Sequence, residues 1–209
     1  PGPSLTLDHA SAVLNGFSVT SNLGWGVTLE TGNFKTQRDI SDPFKHDIHL
    51  AVQGLTPSQG LMASLDPQGL LSHQFEQLEL RMTTTFNGPW DIHALEGPRP
   101  QPTHIDLTNL SAKWGKLDLR MTGAFDVDGR GYPMGTVAIK AVNWREMIEI
   151  AISTGMIPQN MSNLALRAGE MLAGMSGRKD TIDAELTLKD GMITLGFIPL
   201  GPAPRVVIR

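Results

Sequence analysis

An α+β fold dominated by antiparallel sheet is predicted by three features of this chain. Several stretches alternate apolar and polar residues with period two, the period turns helical between about 143 and 175, and a closing hairpin can be registered residue by residue. Together they predict one β-rich domain over residues 1–209: a curved, amphipathic sheet with a helical pair inserted before a C-terminal β-hairpin.

From Val13 to about Leu50 the sequence reads as short strands between turns. A Gly32-Asn33 loop would set Glu30 opposite Lys35 as a cross-strand charge pair. His46 to Gln53 alternates, with Ile48, Leu50 and Val52 on one face. Residues 54–60 read as a turn and 61–65 as a further strand. Leu78, Leu80, Met82, Thr84 and Phe86 then share a face opposite Gln77, Glu79, Arg81, Thr83 and Thr85; a helix would scatter both sets. Pro89, Pro98, Pro100 and Pro102 mark residues 88–103 as a long loop. Ile105 and Leu107 open another strand, Leu117, Leu119, Met121, Phe125 and Val127 form the next, and Asp128-Gly129 turns the chain toward Val137, Ile139 and Ala141.

The period changes at Asn143, which is placed to cap a helix with Glu146 three residues on, as in a capping box. Trp144, Met147, Ile148, Ala151 and Ile152 recur at helical spacing until Gly155 and Pro158. A second helix follows over about 160–174, with Leu164, Ala168, Met171, Leu172 and Met175 on its apolar stripe. In the hairpin, Asp190-Gly191 suits a type I′ turn with positive φ at both residues. Counting outward pairs Lys189 with Met192, Leu188 with Ile193, Thr187 with Thr194, Leu186 with Leu195 and Ala184 with Phe197, and leaves Glu185 near Gly196. Pro199, Pro202 and Pro204 lack amide donors and predict that the chain leaves the sheet near Gly196.

A formal net charge of −4 offers no electrostatic case for nucleic acid. No apolar run reaches the length of a bilayer span, and there is no cysteine for disulfides, thiolate nucleophiles or Cys-based zinc sites. A first residue of Pro1 leads us to expect the soluble part of a longer chain, with a signal peptide or an N-terminal membrane anchor upstream. Asp47-Ile48-His49, Asp91-Ile92-His93 and the reversed His104-Ile105-Asp106 put Asp and His on one strand face. Converging in space, they would suit a metal-dependent hydrolase; apart, they are solvated residues flanking an inward Ile. Asp126 to Gly131 begins like a calcium loop, but Val137 stands where the closing acid belongs. With no GxGxxG, GxxxxGK[ST] or GxSxG, the sequence predicts neither a cofactor nor a catalytic residue, and not an enzyme. The methionines of the second helix, Met161, Met171 and Met175, suit core, lipid or a partner alike.

Gly131 to Val137, then Asn143-Trp144-Arg145-Glu146-Met147, a helical pair and the run from Leu186 to Pro204 together resemble an alphaproteobacterial envelope family catalogued as a domain of unknown function. The hairpin is also similar to the end of AsmA-like proteins, whose amphipathic sheets curl into an apolar trough linked to lipid handling. The resemblance covers residues 123–204 and implies a periplasmic protein anchored to the inner membrane, with no enzymatic residues. The expectation is then a non-enzymatic envelope protein that holds lipid or acyl chains in the groove of its sheet. Leu117, Leu119, Met121, Leu186, Leu188, Ile193 and Leu195 are the expected lining. The alternative is a structural or interaction module that docks an envelope partner through a strand edge or the Met-rich helix.

Overall fold

The structure, a computed structural model, describes residues 5–22, 25–66, 69, 71–155, 157–195 and 198–208. Alternation along the chain is realised as one antiparallel meander in which every strand pairs only with its sequence neighbours. The strands are β1 (His9–Thr20), β2 (Gly26–Arg38), β3 (Lys45–Pro57), β4 (Phe75–Phe86), β5 (Pro102–Trp114), β6 (Leu117–Val127), β7 (Pro133–Val142), β8 (Thr181–Lys189), β9 (Met192–Leu195) and β10 (Ile198–Pro202). Helix α1 (Gln59–Leu65) joins β3 to β4, a single turn α2 (His93–Glu96) lies between β4 and β5, and α3 (Trp144–Ser153) and α4 (Ser162–Met175) separate β7 from β8. The sheet is curved and does not close.

Four readings of the sequence are corrected. First, Gly32 and Asn33 sit inside a thirteen-residue strand, so Lys35 faces Ser11 and His49 across the ladder and not Glu30. Gly32 serves packing there: a Cβ on it would touch the side chains of Leu14 and Leu29. Second, β3 runs through to Pro57, and residues 59–65 are helical. Ser58 starts that helix, its Oγ accepting from the amides of Leu61 at 3.5 Å and Gly26 at 2.9 Å. Third, Asn143 adopts a left-handed φ of 58° and makes no side-chain cap. Its Nδ2 donates to Lys116 O at 2.6 Å, and Glu146 pairs with Lys116 Nζ at 2.6 Å, so both residues tie α3 to the β5–β6 turn. Fourth, the chain does not leave the sheet for good after β9. β10 returns alongside it, with Pro199 opposite Thr194 and Pro202 opposite Met192. The long loop also holds α2 and gives way to β5 at Pro102.

The hairpin register stands: Lys189 faces Met192, Leu188 faces Ile193 and Thr187 faces Thr194, around Asp190 at φ 53° and Gly191 at φ 75°. The expected partners Phe197 and Gly196 lie outside the described residues. In β5 a bulge at Thr108 changes the parity of the strand. Ile105 and Leu107 before it, and Leu110, Ala112 and Trp114 after it, therefore all reach the apolar face.

Three clusters fill that face. Met62 of α1 packs with Trp114 and Leu117 beneath Met147 and Ile150 of α3. Trp144, Leu172 and Ala173 pack on Ala141 and Ile182, joining the helical pair to β7 and β8. Ile105, Leu107 and Val127 meet Val206 of the C-terminal tail. The tail is held by backbone: Val206 N donates to Gly131 O at 2.8 Å, and Ile208 N donates to the Gln101 side chain at 2.9 Å. Arg130 and Arg205 stand over the ring of Tyr132, 5.4 and 5.6 Å from its centroid. β1 has no such cover, and Val13, Leu14, Phe17 and Val19 on it are exposed.

Candidate functional site: an apolar cleft between the helical pair and the last strands

Small residues on one face of α4 build the site. Ala165, Ala168 and Gly169 recur at helical spacing on the side turned to the sheet, where larger side chains would fill the space. The helix approaches closely at Gly169, where an added Cβ would overlap the six-membered ring of Trp144, 2.8 Å from Cη2. Trp144 is 1 % exposed and donates from Nε1 to Lys179 O at 3.1 Å, which fixes the ring that sets this distance. Beside this contact, from Met161 at the start of α4 to Leu172 within it, space remains between helix and sheet. A cleft of about 340 Å³ opens there.

Its sheet wall is Ile139 of β7, Ile182 and Leu186 of β8, Ile193 of β9 and Leu200 of β10. Its helical wall is Ile148 of α3 with Ala165, Ala168 and Leu172 of α4, and Ile157 and Met161 close it from the α3–α4 connection. Pro158 and Pro202 are exposed on its border. Among the described residues no lining side chain is charged. The arrangement can therefore exclude water from aliphatic surface, and it supplies no group to move a proton or hold a metal.

Of the seven residues named from the sequence, Leu186 and Ile193 line this cleft. Leu119 and Leu195 pack against the cluster around Trp144, and Leu117 is buried with Met62 and Trp114. Met121 packs at the Ile105 cluster beside the tail, and Leu188 is buried opposite Gly135 and Ile193. The sequence reading missed most of the helical wall. The available signal was the spacing of Ala165, Ala168 and Gly169, small residues on a face that should otherwise carry bulk. Met161 lies in the cleft, whereas Met175 is 69 % exposed at the far end of α4.

The Asp/His tripeptides do not form a site together. His49 faces Arg81 and His104 faces Thr85, a four-residue offset along β4 worth about 13 Å. His49 Nε2 lies 3.5 Å from Glu79 Oε1, and His104 Nδ1 lies 2.7 Å from Asp126 Oδ1 on the next strand. Arg81 Nε donates to Glu79 and holds its carboxyl below the usual range. His93 sits on α2. No group of three His, Asp or Glu side chains suited to a metal occurs among the described residues. Asp128 accepts from the amides of Tyr132 at 2.9 Å and Arg130 at 2.8 Å, which lowers its pKa and closes the β6–β7 turn. That carboxylate is occupied by its own loop.

The fold and cleft define a class: an open antiparallel meander whose apolar face is buttressed by helices at one end, with a cleft under the buttress. The chain belongs to the bacterial family described as "uncharacterized protein conserved in bacteria" (DUF2125), whose model matches residues 2–204. No curated protein and no solved structure matches it.

Proposed function

We propose that this is a non-enzymatic protein of the bacterial envelope that holds an acyl chain in the cleft between α4 and β7–β10. The observation that carries the reading is the cleft itself: about 340 Å³ with no charged lining side chain among the described residues. Its size falls in the range of about 300–1,000 Å³ typical of ligand pockets. Burial of aliphatic surface at about 0.8 kcal/mol per methylene supplies the driving force, so about ten methylenes gain about 8 kcal/mol. That exceeds the lower estimates of the association cost, about 4 kcal/mol, by enough for measurable binding. The resemblance of residues 123–204 to an alphaproteobacterial envelope family supports a periplasmic setting attached to the inner membrane, and that of the C-terminal hairpin to AsmA-like proteins supports lipid handling.

Native mass spectrometry of gently purified protein tests the reading, paired with titration of a fluorescent fatty acid. Co-purified lipid or saturable binding of the probe is expected. A protein that carries no lipid and binds no probe overturns it.

A second reading is favoured by one observation. β1 presents a long, uncovered edge with exposed Val13, Phe17 and Val19, as an interaction module of the envelope would for an added strand. Proteolytic protection of β1 in a crosslinked envelope complex would support it; a β1 equally cleavable with and without envelope extract would oppose it.

A further inference from the structure

We infer that the cleft admits one aliphatic chain, tail first, that it measures the length of that chain, and that it does not read the headgroup. This rests on the acyl-binding reading above and specifies its ligand. Length follows from volume. An apolar cavity of about 150 Å³ holds one six-carbon benzene ring, and at that density 340 Å³ holds about 12 to 14 carbons. Two chains side by side do not fit in that volume unless each is short.

Blindness to the headgroup follows from the segments that form the cleft. Residues 157–165, which lead from α3 into α4, and residues 193–195 of β9 and 198–202 of β10 contain no Asp, Glu, Lys, Arg or His. The exposed residues at the border, Pro158 and Pro202, offer no side-chain donor or acceptor. Arg167 of α4 is exposed on the side of the helix turned away from the lining residues Ala165, Ala168 and Leu172, and two neighbouring charges have other partners. Glu170 accepts from Arg145 at 3.1 Å, and Arg205 donates to Arg130 O at 2.7 Å. A ligand anchored by charge would need a fixed counter-charge at the border, and a ligand anchored by its tail does not.

The test is a displacement series on the whole chain with straight-chain carboxylates, alcohols and amines of 6 to 18 carbons, below their critical micelle concentrations. Affinity should rise about fourfold per methylene and level off near 12 to 14 carbons, while carboxylate, alcohol and amine of equal length agree within about threefold. Ala168→Phe places a ring of about six carbons in the cleft and should bring the plateau down to about 6 to 8 carbons. Ala165→Leu gives a smaller shift of the same sign if the first variant does not fold. Affinity that climbs without a break to 18 carbons, or that differs more than tenfold between carboxylate and amine, overturns this inference and leaves acyl binding intact. Failure of every chain to displace the probe overturns both.

Discussion

Replacing Gly169 with Ala separates two opposing effects that the structure places at one residue. In an exposed helix interior the change is worth about 0.8–1 kcal/mol in favour of Ala. Here the new methyl would overlap Cζ3, Cε3 and Cη2 of Trp144, a ring held at 1 % exposure by its bond to Lys179 O. Overpacking of this kind costs about 1–3 kcal/mol, so Gly169→Ala should destabilise by up to about 2 kcal/mol. Trp144→Ala alone should cost about 3–5 kcal/mol, a fall in Tm of about 6–20 °C at this chain length. With the ring removed, Gly169→Ala should become stabilising by about 0.8–1 kcal/mol. Urea denaturation of the four members of this cycle measures the reversal, and Trp144→Phe replaces Trp144→Ala if the latter is too unstable. A Gly169→Ala change with the same sign in both backgrounds would refute the claim that Trp144 sets the distance between α4 and the sheet.

Other substitutions test separate parts of the fold. Gly191→Ala should cost about 1–2 kcal/mol, because φ is 75° there and a left-handed conformation costs an L-residue that much; Asp190→Asn should stay within about 0.5 kcal/mol. Gly123→Val should cost about 3 kcal/mol or more, because its Cβ would drive into the backbone of Thr136 and Val137 on β7; Tm of the variant reports it. His46 is 2 % exposed, packs edge-on against Phe86, and leaves Nε2 without a hydrogen bond. Burial first, then the Arg38 charge, push its pKa below the ordinary 6.5, with Asp47 and Asp8 opposing. The folded state therefore favours the neutral ring. Its stabilising share is complete above about pH 6.5 and is lost as pH falls from there toward the folded pKa. Wild-type Tm should drop more between pH 7.5 and 5.5 than that of His46→Phe; equal drops would count against a buried neutral His46.

Local chemistry made some elements legible and left others out of reach. The Asp190-Gly191 hairpin and the strand from Leu78 to Phe86 follow from alternation and a turn dipeptide, both encoded within a few residues. Gly32-Asn33 misled because turn-forming residues also serve inside long curved strands. Gly16 at φ 56° and Gly54 at φ 63° flank Glu30 of β2 from the neighbouring strands without ending either. Leu61 to Leu65 is too short for periodicity to separate strand from helix, and the Ser58 cap decided it. The cleft was hidden for another reason. It consists of the space that Ala165 and Ala168 leave unfilled once Trp144 and Gly169 have fixed the helix, and that space depends on residues far apart in sequence.

The two margins of the sheet differ in kind, and the difference gives the molecule a direction. At the β10 margin Pro199 and Pro202 lack amide hydrogens and α4 lies against the strand, so the ladder cannot be extended there. The β1 margin is twelve residues long, contains neither proline nor lysine, and keeps one row of backbone donors and acceptors free of any strand among the described residues. Because each strand leans only on its neighbours, a strand laid against β1 would lengthen the curved surface without disturbing the cleft at the opposite end. The fold is a ramp with a stopped end and an open one, and any growth of its surface must begin at His9–Thr20.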